Sequence, residues 1–334
     1  MKRTTISDLA GLLDVAPSTV SRALADHPDI SPETKERVRD VAQAMNYIPN
    51  FRARYLRARH SRLVALVVTE MNMFFVPSLV SGINRALQQS DYSLLVFQSD
   101  DALVQERKLA QLCLNLSIDG VLLARSSETT DLAHLDALRK AEVPTVLLDK
   151  IIETDHYSTV AIDDVQTSRK AVGYLLDRGH RKIVGVFADG RQQISALRQR
   201  GFRQAYEERN VVWDDALIAE VPYLPDFDTV VGQALDAHEP TALFAMSDEL
   251  LVRAHHLAAR RGRGIPDDLS LISISDGHAP YFLYPNVTHL RHSGTEVGEK
   301  AAHILIGLMQ HAGDSVIDVR IKTELVELGS VRAV

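Results

Sequence analysis

Four residues within one short stretch, Ser18, Thr19, Ser21 and Arg22, have the types and spacing for a definite piece of chemistry. On a helix they share a face that is small, hydroxyl-rich and basic, suited to close contact with phosphates and base edges. Farther along, Arg52, Arg54, Arg57 and Arg59 fall between residues 50 and 60 with no acid among them. A third set is dispersed: Gln98-Ser99-Asp100, Arg125-Ser126, Asp149, Asp163-Asp164, Ser247-Asp248 and Ser275-Asp276 each follow an apolar run. Open α/β sheets hold small ligands at the carboxyl ends of their strands. About half of such polar residues serve only as helix N-caps, which is the reading given to Asp163.

The elements that must position these residues can be read from periodicity. Thr5 to Leu24 reads as a helix, a tight turn and a second helix, a unit whose second helix can enter a DNA major groove. Ile6, Leu9, Ala10 and Leu13 recur at helical spacing, Val15 plugs the turn, and Val20, Ala23 and Leu24 give the second helix its apolar face. Ser31-Pro32-Glu33 announces a third helix, with Ser as N-cap and Pro at the first position. Val38, Val41, Ala42 and Met45 form its stripe, so three short helices can share one core. Pro49 ends one helix and opens another short one.

From Leu63 onward, apolar runs alternate with amphipathic stretches, the pattern of parallel βα units in a doubly wound sheet. Strands are expected at Leu63–Val68, Ser93–Phe97, Gly120–Ala124, Thr145–Leu148, Val160–Ile162, Ile183–Val186, Ala242–Ala245 and Leu269–Ile274. Helices are expected at Val76–Gln89 and Val165–Arg178, among others.

Composition narrows the class. The 334 residues are 46% hydrophobic, enough for a small domain plus one large or two medium ones. Residues 1–62 hold 11 Lys plus Arg against 7 Asp plus Glu, and the remainder 26 against 37, so a basic head sits on an acidic body. The lone Cys113 is expected to be buried and offers neither a disulfide nor a cysteine cluster for metal. No signal peptide is read at the start and no apolar run nears the ~18 residues of a membrane span, so a cytoplasmic protein away from membranes is expected. Gly-rich phosphate loops, zinc motifs and nucleophile elbows are missing from the sequence. His255-His256 are adjacent and do not share a helix face. No catalytic residue, metal or cofactor is therefore expected.

Val20-Ser-Arg-Ala-Leu24, Tyr47-Ile-Pro-Asn50, Ala53-Arg-Tyr-Leu56 and Val64-Ala-Leu-Val-Val68 closely resemble the lactose-repressor family of bacterial transcription regulators, over essentially the whole chain. The resemblance implies an all-α helix-turn-helix head (1–48), a hinge helix and linker (49–61) and an α/β effector-binding and dimerisation domain (62–334) of the two-lobed periplasmic-binding-protein type. Its lobes would be approximately 62–162 plus 293–320 and 163–292 plus 321–334, with crossings near Ile162, His292 and Ile321. DNA contacts fall to Thr5, Pro17, Ser18, Thr19, Ser21, Arg22, Asn50, Ala53, Arg54 and Leu56. Leu56 resembles the hinge leucine that wedges into a minor-groove step.

For the effector, the resemblance points to Phe75, Asp149, Arg198, Tyr223, Ser247, Asp248, Asp276 and His292. Arg198 lies in an Arg-x-x-Gly-aromatic segment with Gly201 and Phe202, and Arg198 and Asp276 are expected to grip hydroxyls from opposite lobes. Met73 departs from the proline of the family's Asn-Pro-Phe-Phe. Arg125 departs too: facing the cleft it would favour an acidic sugar or phosphate, whereas facing solvent it would bind nothing.

The function expected is a sequence-specific repressor-type regulator whose affinity for near-palindromic double-stranded operator DNA is set by a sugar or sugar-derivative effector. The chain ends without an added heptad segment, so a homodimer is expected. An enzyme, a transport-type sugar-binding protein and a regulator answering to a protein corepressor are the competing classes. Inducer and corepressor roles both stay open.

Overall fold

The computed structural model describes residues 4–47, 60–152, 154–310 and 315–334, and its chain divides into a unit up to Ser61 and a unit from Arg62 onward. In the first unit, α1 (Ile6–Leu13), α2 (Pro17–Leu24) and α3 (Pro32–Ala44) enclose a core of Leu9, Ala10, Val20, Ala23, Val38 and Ala42. Thr5 caps α1 in a reciprocal capping box with Asp8, and Ser31 Oγ accepts the Thr34 N–H at the start of α3. Pro17 fills the first position of α2, where its missing N–H costs nothing. Val15 packs against this core from the turn. Met45, expected in the α3 stripe, lies past the helix end and is largely exposed, because α3 stops at Ala44.

The second unit begins with β1 (Leu63–Val68), α4 (Phe75–Gln88), β2 (Ser93–Gln98), α5 (Leu103–Asn115), β3 (Gly120–Leu123), α6 (Asp136–Lys140), β4 (Thr145–Leu148) and β5 (Ser158–Ile162). It continues with α7 (Asp164–Asp177), β6 (Ile183–Phe187), α8 (Gln193–Glu208), β7 (Ile218–Glu220), α9 (Phe227–His238), β8 (Ala242–Ala245), α10 (Asp248–Arg260), β9 (Ser270–Ser275) and β10 (Thr288–Arg291). Then come α11 (Gly294–Gln310), β11 (Asp318–Ile321) and β12 (Glu324–Val326).

Two six-stranded sheets result, ordered β11-β5-β4-β3-β1-β2 and β12-β10-β9-β8-β6-β7. Their pairings are parallel apart from the antiparallel β10–β12 pair. Each sheet with its helices is one lobe. The chain passes between lobes after β5, after β10 and after β11.

The four strands absent from the sequence reading, β7, β10, β11 and β12, are short. In β10, Thr288-His-Leu-Arg291 carries no apolar run, yet Thr288, His289 and Leu290 are buried by the strands on either side. Tertiary pairing supplies what local propensity lacks.

Two helix contacts position the cavity walls. A Cβ on Gly82 of α4 would lie 2.1 Å from the Thr295 carbonyl oxygen, and one on Gly298 of α11 would lie 2.4 Å from that of Leu79. The backbones of α4 and α11 therefore touch directly, which only glycine allows. Cys113 is buried, and burial raises its thiol pKa to about 11, so it is an inert core residue.

Candidate functional site

Between the lobes lies a cavity of about 290 Å³, near the lower end of the ~300–1,000 Å³ range of small-molecule sites. Seven expected effector residues line it: Phe75, Asp149, Arg198, Ser247, Asp248, Asp276 and His292. Phe75 opens α4, Asp149 follows β4, Arg198 projects from the second turn of α8, Ser247-Asp248 open α10, and Asp276 and His292 follow β9 and β10. Strand ends and helix starts thus bring chemistry from distant parts of the sequence to one place.

Arg198 is buried and clamped: Nε donates to Asp164 Oδ1 at 2.8 Å and Nη1 donates to the Met246 carbonyl. Burial pushes the Asp164 carboxyl up to about 6 while the Arg198 charge pulls it down. Gly201, three residues on, packs its helix against α7, since a Cβ there would lie 2.2 Å from the Val165 carbonyl oxygen. The Arg-x-x-Gly spacing thus couples one cavity side chain to one close helix contact.

Asp276 accepts from Ser78 Oγ of the first lobe at 2.7 Å and from the His278 N–H at 3.0 Å. Asp248 Oδ2 accepts the Asp276 N–H at 3.1 Å, while its buried Oδ1 has no partner. Burial, together with the neighbouring charges of Asp276 and Glu249, raises the Asp248 carboxyl to about 7. The His292 ring stacks on Phe75 with centroids 4.5 Å apart, and its buried Nε2 lacks a partner. Burial, then the Arg198 charge, lowers its pKa to about 3, so the ring is neutral at ordinary pH. Two buried polar atoms facing a cavity without a partner are binding capacity held in reserve.

Two expected residues lie elsewhere. Tyr223 is 67% exposed: Val221, Pro222 and Leu224 line the cavity and leave the tyrosine turned outward. Arg125 is buried outside the cavity lining, so neither of its two expected orientations holds. Its Nη1 donates to the carbonyls of Ser126 (3.1 Å) and Thr129 (2.7 Å), and its Nη2 donates to Gln193 Oε1 of the other lobe. These three acceptors engage both terminal nitrogens, while the buried Nε has no partner. Arg198 and Asp276 also do not oppose one another, because both belong to the second lobe; Phe75 and Asp149 face them from the first.

The sequence reading missed Glu70, Met73, Asp101, Lys150, Gln192 and Glu249 among the lining residues. Most of them lie within a few residues of a strand end, so the rule that found Asp149 and Asp248 reached their neighbours as well. Asp163 caps α7 through the Gln166 N–H at 2.8 Å, as read from the sequence. His255 Nε2 faces the Tyr284 carbonyl at 2.9 Å, and no cluster of metal-ligating residues occurs among the described residues.

In the head, Pro17, Ser18 and Arg22 are exposed on α2, with Thr19 and Ser21 half-buried beside them. Thr5 spends its hydroxyl on the Asp8 carboxylate and N–H. Asn50, Ala53, Arg54 and Leu56 lie outside the described residues.

A helix-turn-helix unit followed by a two-lobed α/β body with a cavity between its sheets is the architecture of a DNA-binding regulator. Residues 5–50 match the model for bacterial regulatory proteins of the lacI family, and residues 172–331 match a periplasmic binding protein-like domain. The transcriptional regulator DegA of Bacillus subtilis is 30% identical over 298 residues, covering 89% of this chain and 88% of that protein. The chain belongs to the lacI family and is a transcriptional regulator rather than an enzyme. Its fold matches the Lac repressor dimer bound to operator and an anti-inducer, with a TM-score of 0.84 at 20% identity, covering 99% of this chain and 100% of that one. It also matches the regulator CelR in complex with cellobiose, with a TM-score of 0.73 at 24% identity, covering 98% and 100%. No helix among the described residues is long and apolar enough to cross a membrane.

Proposed function

We propose that this regulator binds a near-palindromic operator as a cytoplasmic homodimer, and that a small sugar or sugar derivative in the interlobe cavity sets its operator affinity. The observation that carries the reading is the cavity itself: one wall from each lobe, with Asp248 Oδ1 and His292 Nε2 buried in it without partners. The CelR complex with cellobiose and the operator-bound Lac repressor dimer share the fold and supply the precedents. Residues 1–48 serve as the head, 49–61 as the hinge and 62–334 as the effector-binding and dimerising body.

In the head, Ser18, Thr19, Ser21 and Arg22 read DNA, with Pro17 and Thr5 fixing the helix starts. In the hinge, Asn50, Ala53, Arg54 and Leu56 meet the minor groove, the leucine unstacking a central base step. A ligand that prefers one interlobe angle shifts the population toward it and so changes operator affinity. The test is retardation of the protein's own promoter DNA in gels, followed by titration of sugars. Retardation that no small molecule alters would overturn effector control.

A further inference from the structure

The charge of the cavity is lopsided. Glu70, Asp101, Asp149, Asp248, Glu249 and Asp276 present carboxyl groups to it, against the two cations Arg198 and Lys150. Both cations are already engaged, Arg198 with Asp164 at 2.8 Å and Lys150 with Asp101 at 3.3 Å. Arg125, the remaining basic residue nearby, lies outside the cavity lining with both terminal nitrogens bound to Ser126, Thr129 and Gln193. An acidic ligand would add a negative charge where carboxyl groups already outnumber cations.

The unpartnered atoms agree. Asp248 is 5% and His292 6% exposed, and Asp248 Oδ1 is an acceptor without a donor. His292 Nε2, on a ring that stays neutral, is also without a partner and suits a ligand hydroxyl, which can donate or accept. The Asp248 oxygen favours a ligand that offers a donor there, above all one whose donors carry positive charge. An ammonium group offers three N–H donors and no acceptor. Phe75, stacked on His292, adds an aromatic wall against which a sugar ring can lie.

Resting on the effector reading above, we infer that the effector is a polyhydroxylated molecule bearing a protonated amine, an amino sugar in its simplest form, held with its nitrogen toward Asp248 and its ring against Phe75. Hydroxyls of such a ligand meet Asp149, Asp276 and the remaining donor capacity of Arg198. The acid-binding alternative raised by Arg125 finds no support in this arrangement.

The test is calorimetry on the full-length protein with glucosamine, galactosamine and mannosamine, the three neutral parent sugars, and the three corresponding uronic acids. At least one amine should bind roughly tenfold or more tightly than its parent, and no acid should bind. Asp248→Asn should weaken the amine far more than its parent sugar and so erase most of that preference, whereas an equal loss for both would show that Asp248 does not read the amine. Glu70→Gln, at an exposed position that cannot threaten folding, should reduce the preference by a smaller factor. Parent sugars binding as tightly as amines, or any acid binding, overturns the amine inference and leaves effector control standing. Silence from all nine compounds overturns the amino-sugar inference, while effector control falls only if the wider sugar titration also leaves operator retardation unmoved.

Discussion

Ser78 Oγ donates a 2.7 Å hydrogen bond to Asp276 Oδ2 across 198 positions of sequence, so a helix of the first lobe holds a cavity carboxylate of the second. Both groups are buried, and a hydrogen bond to a charged group contributes ~1.5–3 kcal/mol. Ser78→Ala should lower the melting temperature by a few degrees and weaken effector binding about tenfold. Calorimetry showing unaltered affinity would mean that this contact plays no part in the bound arrangement.

Arg198 has a structural duty as well as a binding one. Removing one partner of a buried ion pair leaves the other charge stranded and costs ~3–5 kcal/mol. Arg198→Ala should therefore destabilise the protein by several kcal/mol in denaturant unfolding. Arg198→Ala combined with Asp164→Asn should recover most of that loss, and both variants should fail to respond to effector. A double variant as unstable as the single one would show that the ion pair is not the source of the cost.

The Asp248 carboxyl is raised from 3.8 to about 7 in the folded protein. Its stabilising contribution is complete below about pH 4, where both states hold the proton, and is lost as pH rises to 7. Wild-type protein should accordingly lose stability relative to Asp248→Asn between pH 5 and pH 8, by at least ~1 kcal/mol. Melting curves of the two proteins that stay parallel across that range would place the carboxyl near its ordinary value.

Arg22 stands exposed on the hydroxyl-rich face of α2. A bidentate contact from arginine to guanine supplies ~1–3 kcal/mol of base discrimination. Arg22→Ala should lose operator binding by roughly that amount while weak, salt-sensitive binding to random DNA persists. Equal loss on both DNAs would reduce Arg22 to a phosphate neighbour.

Sequence alone disclosed the α/β alternation because β1, β4 and β8 are continuous apolar runs that no exposed segment could sustain. It did not disclose β10 or β12, whose polar residues become strand only because neighbouring strands pair with them. The same limit governs the cavity. Asp149, Ser247 and Asp276 could be placed by their position after strands, whereas the orientation of a side chain depends on what packs around it. Arg125 shows this plainly: its position after β3 suits a ligand contact, but the Ser126 and Thr129 carbonyls and Gln193, 68 residues away, hold its two terminal nitrogens outside the cavity lining. Tyr223 fails for the opposite reason, since Val221 and Pro222 occupy the inward-facing places beside it.

The glycine contact between α4 and α11 removes the compliance that side chains normally give to a helix interface. Flexible side chains can absorb a small displacement by changing rotamer, but two backbones in van der Waals contact cannot. His292 stands at the passage into α11, and its ring lies on Phe75 at the head of α4. A ligand pressing on that aromatic pair therefore moves a stiff strut rather than a cushion, and the first lobe receives the push with little of it dissipated along the way.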